Sequence, residues 1–254
     1  MTRDPTERFS DRVDSYVRAR PGYPAGVLDI LEEVSGLTGP LPVADVGSGT
    51  GIFSRLLLDQ GHTVYAVEPN APMRQQAEAS LGGNPRFHSV PGRAEATTLA
   101  AGSLDLAAAA QAFHWFEPAA TRSEWRRILR PPGWALLVWN ERLTTGSPFL
   151  EAFERFLGQW GSDYHEVRTA WVRGENLDVF FGEGAWSEHR LPNGQLLDLE
   201  GLIARVASSS YMPNAGPRLA PMLGDLERLF DEHQRDGKVA LDYETRIYLG
   251  RLLG

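Results

Sequence analysis

The sequence predicts an α/β fold built around a parallel sheet, and three observations carry that prediction. The first is the stretch Val43-Ala44-Asp45-Val46-Gly47-Ser48-Gly49-Thr50-Gly51, where an apolar run ends in three glycines on alternate positions. Ile52 to Leu58 follow with helical rather than alternating apolar spacing, so a strand, a glycine turn and a helix stand in order. The second is repetition. Short apolar runs at 42–47, 63–68, 86–90, 104–110 and 134–139 are separated mostly by stretches of helical character, the pattern of parallel strands joined by crossover helices. The third is size: 254 residues, 42% of them hydrophobic, can bury one full core without a second fold.

Each element follows from its own signals. A helical preface is expected from Glu7 to Ala19, a break at Pro21 and Pro24, and a second helix to about Ser35. The alternating core then runs from about Leu41 to Asn140. Right-handed crossovers put the carboxyl ends of its strands on one rim, where ligands bind, and Gly47, Glu68, Gln111 and Asn140 all fall near that rim. After Asn140 the chain turns more helical. Phe149, Leu150, Phe153, Phe156, Leu157 and Trp160 fall mostly on one helical stripe, which reads either as core packing or as a cap over a ligand pocket. A strand is expected at 185–191, a helix at 198–207 and a final strand at 238–249. In that last segment Val239, Leu241, Tyr243, Ile247 and Leu249 alternate with Asp242, Glu244 and Arg246, as a half-buried strand requires.

The glycine turn points to a nucleotide, and its spacing narrows which one. A dinucleotide fingerprint starting at Gly47 needs glycine or alanine at position 52, where this chain has Ile52. A P-loop needs Gly-Lys-Ser/Thr after the turn, and the chain has Gly51-Ile52-Phe53. Asp45, an acid at the end of an apolar strand, would repel a pyrophosphate but suits a cationic ligand. Glu68 closes the next apolar run, the position at which such folds carry the carboxylate that grips ribose hydroxyls. Acid, glycines and acid together describe a charged nucleoside.

Charge and composition exclude several classes. With 25 basic against 33 acidic side chains the net charge is −8, which argues against a nucleic-acid backbone as the main partner. The one basic run, Arg122, Arg126, Arg127 and Arg130, reads as the end of a helix stopping at Pro131, where cations complement the dipole. The start of the chain lacks an apolar signal region, and no apolar run approaches the roughly 20 residues that span a bilayer. A cytoplasmic protein without a membrane partner is expected. The chain has no cysteine, and its 6 histidines show no ligand spacing, so no metal is expected.

At this point the residues resemble the class I S-adenosylmethionine-dependent methyltransferases, specifically the small-molecule branch called type 11. The resemblance rests on Asp45-x-Gly47-x-Gly49-x-Gly51, Glu68, Gly92-Arg93-Ala94-Glu95, and Leu104-Asp105-Leu106 leading to Gln111-Ala112-Phe113-His114-Trp115-Phe116. It continues through Arg127-Ile128-Leu129-Arg130-Pro131-Pro132-Gly133, and upstream Tyr16 to Pro24 looks like the opening helix and turn of that branch. The resemblance implies a Rossmann-like methyltransferase fold: a seven-stranded, mostly parallel sheet with an antiparallel edge pair, flanked by helices, with a helical insertion. It divides the single domain 1–254 into a helical lid at 1–36, a cofactor-binding core at 41–140, a helical insertion or cap with one sheet strand at 141–236, and a closing strand at 238–250.

The implied donor is S-adenosylmethionine, leaving S-adenosylhomocysteine, with a small molecule as acceptor and a monomer or homodimer as the working unit. Asp45, Gly47, Ser48 and Gly49 are expected around the methionine end, and Glu68 and Pro69 at the ribose. Met73 is expected against the adenine face or in the core, with Ala94 and Glu95 at the adenine edge and Gln111 beyond the fourth strand. Arg93 stands where many relatives carry Asp, and an arginine only donates, so Glu95 is the expected acceptor there. Tyr16, Arg20 and Tyr23 form either a lid whose arginine meets the methionine carboxylate or a structural turn. His114, Trp115, Asn140, Tyr23 and Tyr211 are the expected acceptor pocket, with His114 as candidate general base or structural histidine. Arg142, Arg173 and Arg205 are candidates to pair with an anionic acceptor, or else surface cations. A carboxylate acceptor needs no base, whereas a hydroxyl does. A nicotinamide oxidoreductase and a non-catalytic partner that keeps the fold are the alternatives; Ile52 opposes the first and the intact donor motif the second.

Overall fold

The computed structural model describes residues 20–164 and 174–253. The expected helix at Glu7–Ala19, Tyr16 and Arg173 lie outside the described residues. In chain order the elements are α1 (Gly26–Ser35), β1 (Pro42–Val46), α2 (Ile52–Asp59), β2 (Thr63–Val67), α3 (Ala71–Leu81), β3 (Phe87–Val90) and β4 (Leu104–Ala110). A 3₁₀ turn (Phe113–Trp115) precedes α4 (Pro118–Ile128) and β5 (Leu129–Arg142). Then come α5 (Pro148–Trp160), α6 (Gly174–Phe181), β6 (Trp186–Leu197), α7 (Leu199–Ala207), α8 (Leu219–His233) and β7 (Val239–Arg251).

The strands form one seven-stranded sheet in the order β3-β2-β1-β4-β5-β7-β6. The first five are parallel, with Asp45 level with Ala66 on one side and Ala108 on the other. β7 runs antiparallel to both β5 and β6, so the closing pair lies at the sheet edge as expected. Strand order reverses between β1 and β4, and the crevice outside their carboxyl ends is where such sheets bind ligands.

Both faces of the parallel part are covered, which is why its strands read as apolar runs rather than alternations. Val43, Val64, Leu106, Leu136 and Val138 pack under Val27, Leu31, Phe53 and Leu57 of α1 and α2. Ala44, Ala107, Ala109 and Leu137 pack on the other face against Trp125, Ile128 and Phe180. Alanines on that face leave room for Trp125, whose ring is fully buried edge-on to Phe180.

Strand ends differ from expectation where β7 intervenes. β5 was expected at 134–139 and runs Leu129–Arg142, because Trp134 to Arg142 pair continuously with Arg251 to Tyr243. β6 was expected at 185–191 and continues to Leu197 through Pro192 and Gly194. Those two residues read locally as breakers, but β6 is an edge strand, where a proline has no second partner to disappoint.

The aromatic stripe of α5 is core. Phe149, Leu150, Phe153, Phe156 and Leu157 are buried against Leu202 and Val206 of α7, Met222 and Leu226 of α8, and Val239, Leu241 and Tyr243 of β7. Trp160, half-buried at the end of the stripe, donates its indole N–H to Asp225 at 3.1 Å. Of the arginines expected either to meet an anionic acceptor or to lie at the surface, Arg142 and Arg205 are largely buried and engaged within the protein. Arg142 bonds Glu154 and, at 2.8 Å, the Tyr164 hydroxyl, and Arg205 reaches Tyr243 at 3.2 Å and Ser209 at 3.1 Å. In the basic run, Arg127 pairs with Glu124 at 2.7 Å and Arg130 with Asp105 at 3.0 Å, so these charges serve the fold locally. Among the described residues no helix is long and apolar enough to cross a membrane, and no cluster of His, Asp or Glu could hold a metal.

Candidate active site

The glycine turn forms the floor of a cleft of about 360 Å³ at the carboxyl ends of β1, β2 and β4. Gly47 and Ser48 both donate their backbone N–H to the Val67 carbonyl, at 2.8 and 3.2 Å, which folds the turn back over β2. Gly47 has φ +69°, and a Cβ there would lie 2.6 Å from the Ala112 Cβ, so no side chain fits. Gly49, at φ +56°, is different: a Cβ would meet only the Met73 sulfur, at 3.5 Å, so this glycine opens to the cleft.

Two buried acids face this turn. Asp45 is fully buried; its Oδ2 accepts the Ser54 hydroxyl at 2.6 Å, and its Oδ1 has no hydrogen-bond partner among the described residues. Burial pushes its pKa up to about 7, Ser54 opposes the rise, and the neighbouring Glu68 adds to it. Glu68 accepts the Gly49 N–H at 2.9 Å and the Asn70 N–H at 2.8 Å, one on each oxygen. Burial raises its pKa too, against the pull of those two amides and of Arg74. Arg74 in turn donates to the carbonyls of Glu68 and Pro69, at 2.8 and 2.9 Å, and Asn70 caps α3 by accepting from Met73 at 3.0 Å. The carboxylate is thus held rigidly with lone pairs left over for hydroxyl donors.

The far wall comes from the loops after β3 and β4. Arg93 and Ala96 close a small backbone bridge around Ala94 and Glu95, and Glu95 also accepts the Glu117 N–H at 3.0 Å. Gln111 sits at φ +57°, a left-handed conformation few side chains adopt, held by its N–H to Val138 and its side-chain amide to the Asn140 carbonyl, both at 2.9 Å. The 3₁₀ turn then buries Phe113, brings Trp115 and Phe116 to the cleft, and leaves His114 exposed with its ring tilted against Trp115. Tyr23 closes the site from the N-terminal strap, its ring edge-on to Phe53 at 5.2 Å.

Of the residues named from the sequence, Asp45, Gly47, Ser48, Gly49, Glu68, Pro69, Met73, Ala94, Glu95, Gln111, Tyr23 and Trp115 line this one cleft. His114 is not brought there, because the turn that buries Phe113 points the next residue outward. Asn140 lies behind the wall with its polar atoms engaged: Oδ1 accepts from Thr245 and Asn193, Nδ2 donates to Gly22, and its carbonyl takes Gln111. Tyr211 belongs to the helical layer, its ring 5.2 Å from that of Tyr164. Arg20 donates to the Ser208 carbonyl at 3.2 Å, so its guanidinium is directed at the end of α7. Sequence reasoning missed Thr50, Asn70, Phe116 and Ile52, and did not place Arg93 in the site, although all line the cleft. Each adjoins a recognised motif, and that adjacency was the signal available. Thr50 is buried, and its hydroxyl, like Asp45 Oδ1, lacks a hydrogen-bond partner among the described residues. Two buried polar atoms left open beside a carboxylate-ended strand fit a ligand with N–H donors and positive charge, as the methionine end of an adenosyl donor has.

Comparison with known proteins agrees. Residues 44–137 match the type 11 family model described as a methyltransferase domain. An uncharacterized methyltransferase-like protein of Schizosaccharomyces pombe is 31% identical over 247 residues, 94% of this chain and 93% of that protein. An uncharacterized methyltransferase of Mycobacterium tuberculosis is 37% identical over 140 residues, so the match spans about half of each chain, 55% in both. Among solved structures, a candidate type II methyltransferase from Anaeromyxobacter dehalogenans superposes with TM-score 0.65 at 23% identity, over 92% of this chain and 98% of that one. A Haemonchus contortus phosphoethanolamine N-methyltransferase, solved with S-adenosylhomocysteine, superposes with TM-score 0.56 at 14% identity, over 99% of this chain and 59% of that one.

Proposed function

The chain belongs to the class I S-adenosylmethionine-dependent methyltransferases of type 11, and from that premise we propose that it methylates a small-molecule acceptor mainly by positioning. The observation that carries this reading is the pairing of the open Asp45 Oδ1 with the rigidly held Glu68 in one cleft. When bound, S-adenosylmethionine supplies a methyl group already activated on a sulfonium. Asp45 and Thr50 would hold the amino-acid end, the Gly49 backbone would lie against it, and Glu68 would accept from the ribose hydroxyls. Met73 and Ala94 would flank the adenine, with Glu95 accepting at its edge. Tyr23, Trp115 and Phe116 would exclude water and fix the direction from which an acceptor approaches.

No histidine, lysine or cysteine is among the described residues lining the cleft. The proton-accepting side chains that do line it, Asp45, Glu68 and Glu95, are the ones assigned to the donor in this reading, so the acceptor it favours is one that brings its own electron pair, such as an ionised carboxylate. The nicotinamide alternative draws no support here, since Ile52 occupies the fingerprint position and lines the cleft itself.

Calorimetric titration with S-adenosylmethionine, S-adenosylhomocysteine and NADH tests the donor assignment. The adenosyl ligands should bind saturably, Asp45→Ala and Glu68→Ala should each weaken them about tenfold or more, and NADH should not bind. Well-folded protein that ignores both adenosyl ligands would sink the reading. With a turning-over carboxylic acid in hand, His114→Gln should keep wild-type turnover across the pH range.

A further inference from the structure

Asn140 and Asn193 lie outside the cleft, yet together they hold the strap that closes it. The Gly22 carbonyl accepts from Asn140 Nδ2 at 3.1 Å and from Asn193 Nδ2 at 2.9 Å. The Asn193 amide also donates to Asn140 Oδ1 at 3.0 Å, and the buried Thr245 hydroxyl donates to that same oxygen at 2.6 Å. Two strands, β5 and β6, thus meet at one carbonyl of the strap, and β7 braces Asn140 through Thr245. The next residue along is Tyr23, which lines the cleft over Phe53. The main-chain carbonyl of Asn140 meanwhile takes the Gln111 side chain, which anchors the opposite wall in its left-handed conformation. Both walls of the cleft therefore hang on the end of β5.

We propose that Asn193, acting with Asn140 through the Gly22 carbonyl, is a positioning residue that sets Tyr23 over the bound donor. Asn193 belongs to no recognised motif, is half-buried on the edge strand and does not line the cleft. Its two N–H donors are spent on the strap and on Asn140. Without them Gly22 keeps only the Asn140 bond, and the strap gains freedom that donor binding must then remove. The inference rests on the adenosyl-donor reading of the cleft.

A double-mutant cycle on S-adenosylhomocysteine affinity tests it, using the wild-type chain, Asn193→Ala, Tyr23→Ala and the pair. Asn193→Ala should weaken binding about five- to tenfold, and the isosteric Asn193→Asp, which keeps the size but not the donors, should do the same. In the Tyr23→Ala background Asn193→Ala should cost nothing further, an outcome that general loosening of the edge strand would not produce. Equal weakening in both backgrounds, or unchanged affinity in Asn193→Ala, would overturn the inference while leaving the donor assignment standing. A wild-type chain that fails to bind would remove both.

Discussion

A carboxyl group as deeply buried as that of Asp45 favours its protonated form, because burial strips solvation from the charge and the Ser54 hydrogen bonds offset only part of the loss. The consequence for stability has a definite sign. A group whose pKa rises from 3.8 to about 7 on folding contributes fully below pH 4, and that contribution is lost as pH climbs toward 7. The full swing is on the order of 4 kcal/mol. Ligand-free protein should therefore melt at a higher temperature near pH 5 than near pH 8, and Asp45→Asn should flatten most of that difference. Donor affinity should run the other way, since a cation in the cleft recruits the ionised form. Titrations with S-adenosylmethionine at pH 6, 7 and 8 should show tightening with pH in wild type and none in Asp45→Asn. Asp45 and Glu68 were legible from the sequence because an acid ending an apolar strand is conspicuous. That His114 is exposed rather than lining the cleft was not legible, because sequence places it in the loop that borders the cleft but says nothing of which way a 3₁₀ turn aims its middle residue.

The glycine turn behaves as an element whose members have unequal duties. Gly47→Ala meets both a left-handed backbone and a carbon 2.6 Å away, and it should cost about 2–4 kcal/mol in chemical denaturation. Gly49→Ala meets only the left-handed strain, about 1–2 kcal/mol, yet its methyl would intrude on the ligand side of the turn. The expected pattern is larger destabilisation at Gly47 and a larger loss of donor affinity per unit of destabilisation at Gly49. Equal ratios at the two positions would mean that the turn acts only as a spacer. The turn itself, with its flanking strand and helix, is written in local spacing. The extent of β6 is not, because Pro192 and Gly194 speak against a strand until one knows that the strand lies at an edge.

Across the whole molecule, the parallel half was legible because each of its strands is buried on both faces and so is apolar in its own right. The clasp at Gly22 was not, since Gly22, Asn140, Asn193 and Thr245 converge only after β7 has paired with both neighbours. β7 is accordingly a structural requirement rather than a trailing strand. A chain ending at Asp236 would expose the length of β5 as an unpaired apolar edge, and it should be recovered as insoluble or molten protein without a cooperative melting transition. The same strand takes part in three separate apolar clusters. Val239, Leu241 and Tyr243 join the one made with α5, α7 and α8, Ile247 and Leu249 the one beneath α1 and α2, and Tyr248 the one beneath α4. Because the helical layer keeps its own cluster, repacking there is insulated from the glycine turn, and substitutions in the two regions should add independently. The sheet edge therefore works as a partition: a side chain exchanged in the helical layer alters the shape of its own cluster without displacing the strand ends and turn that carry the cleft.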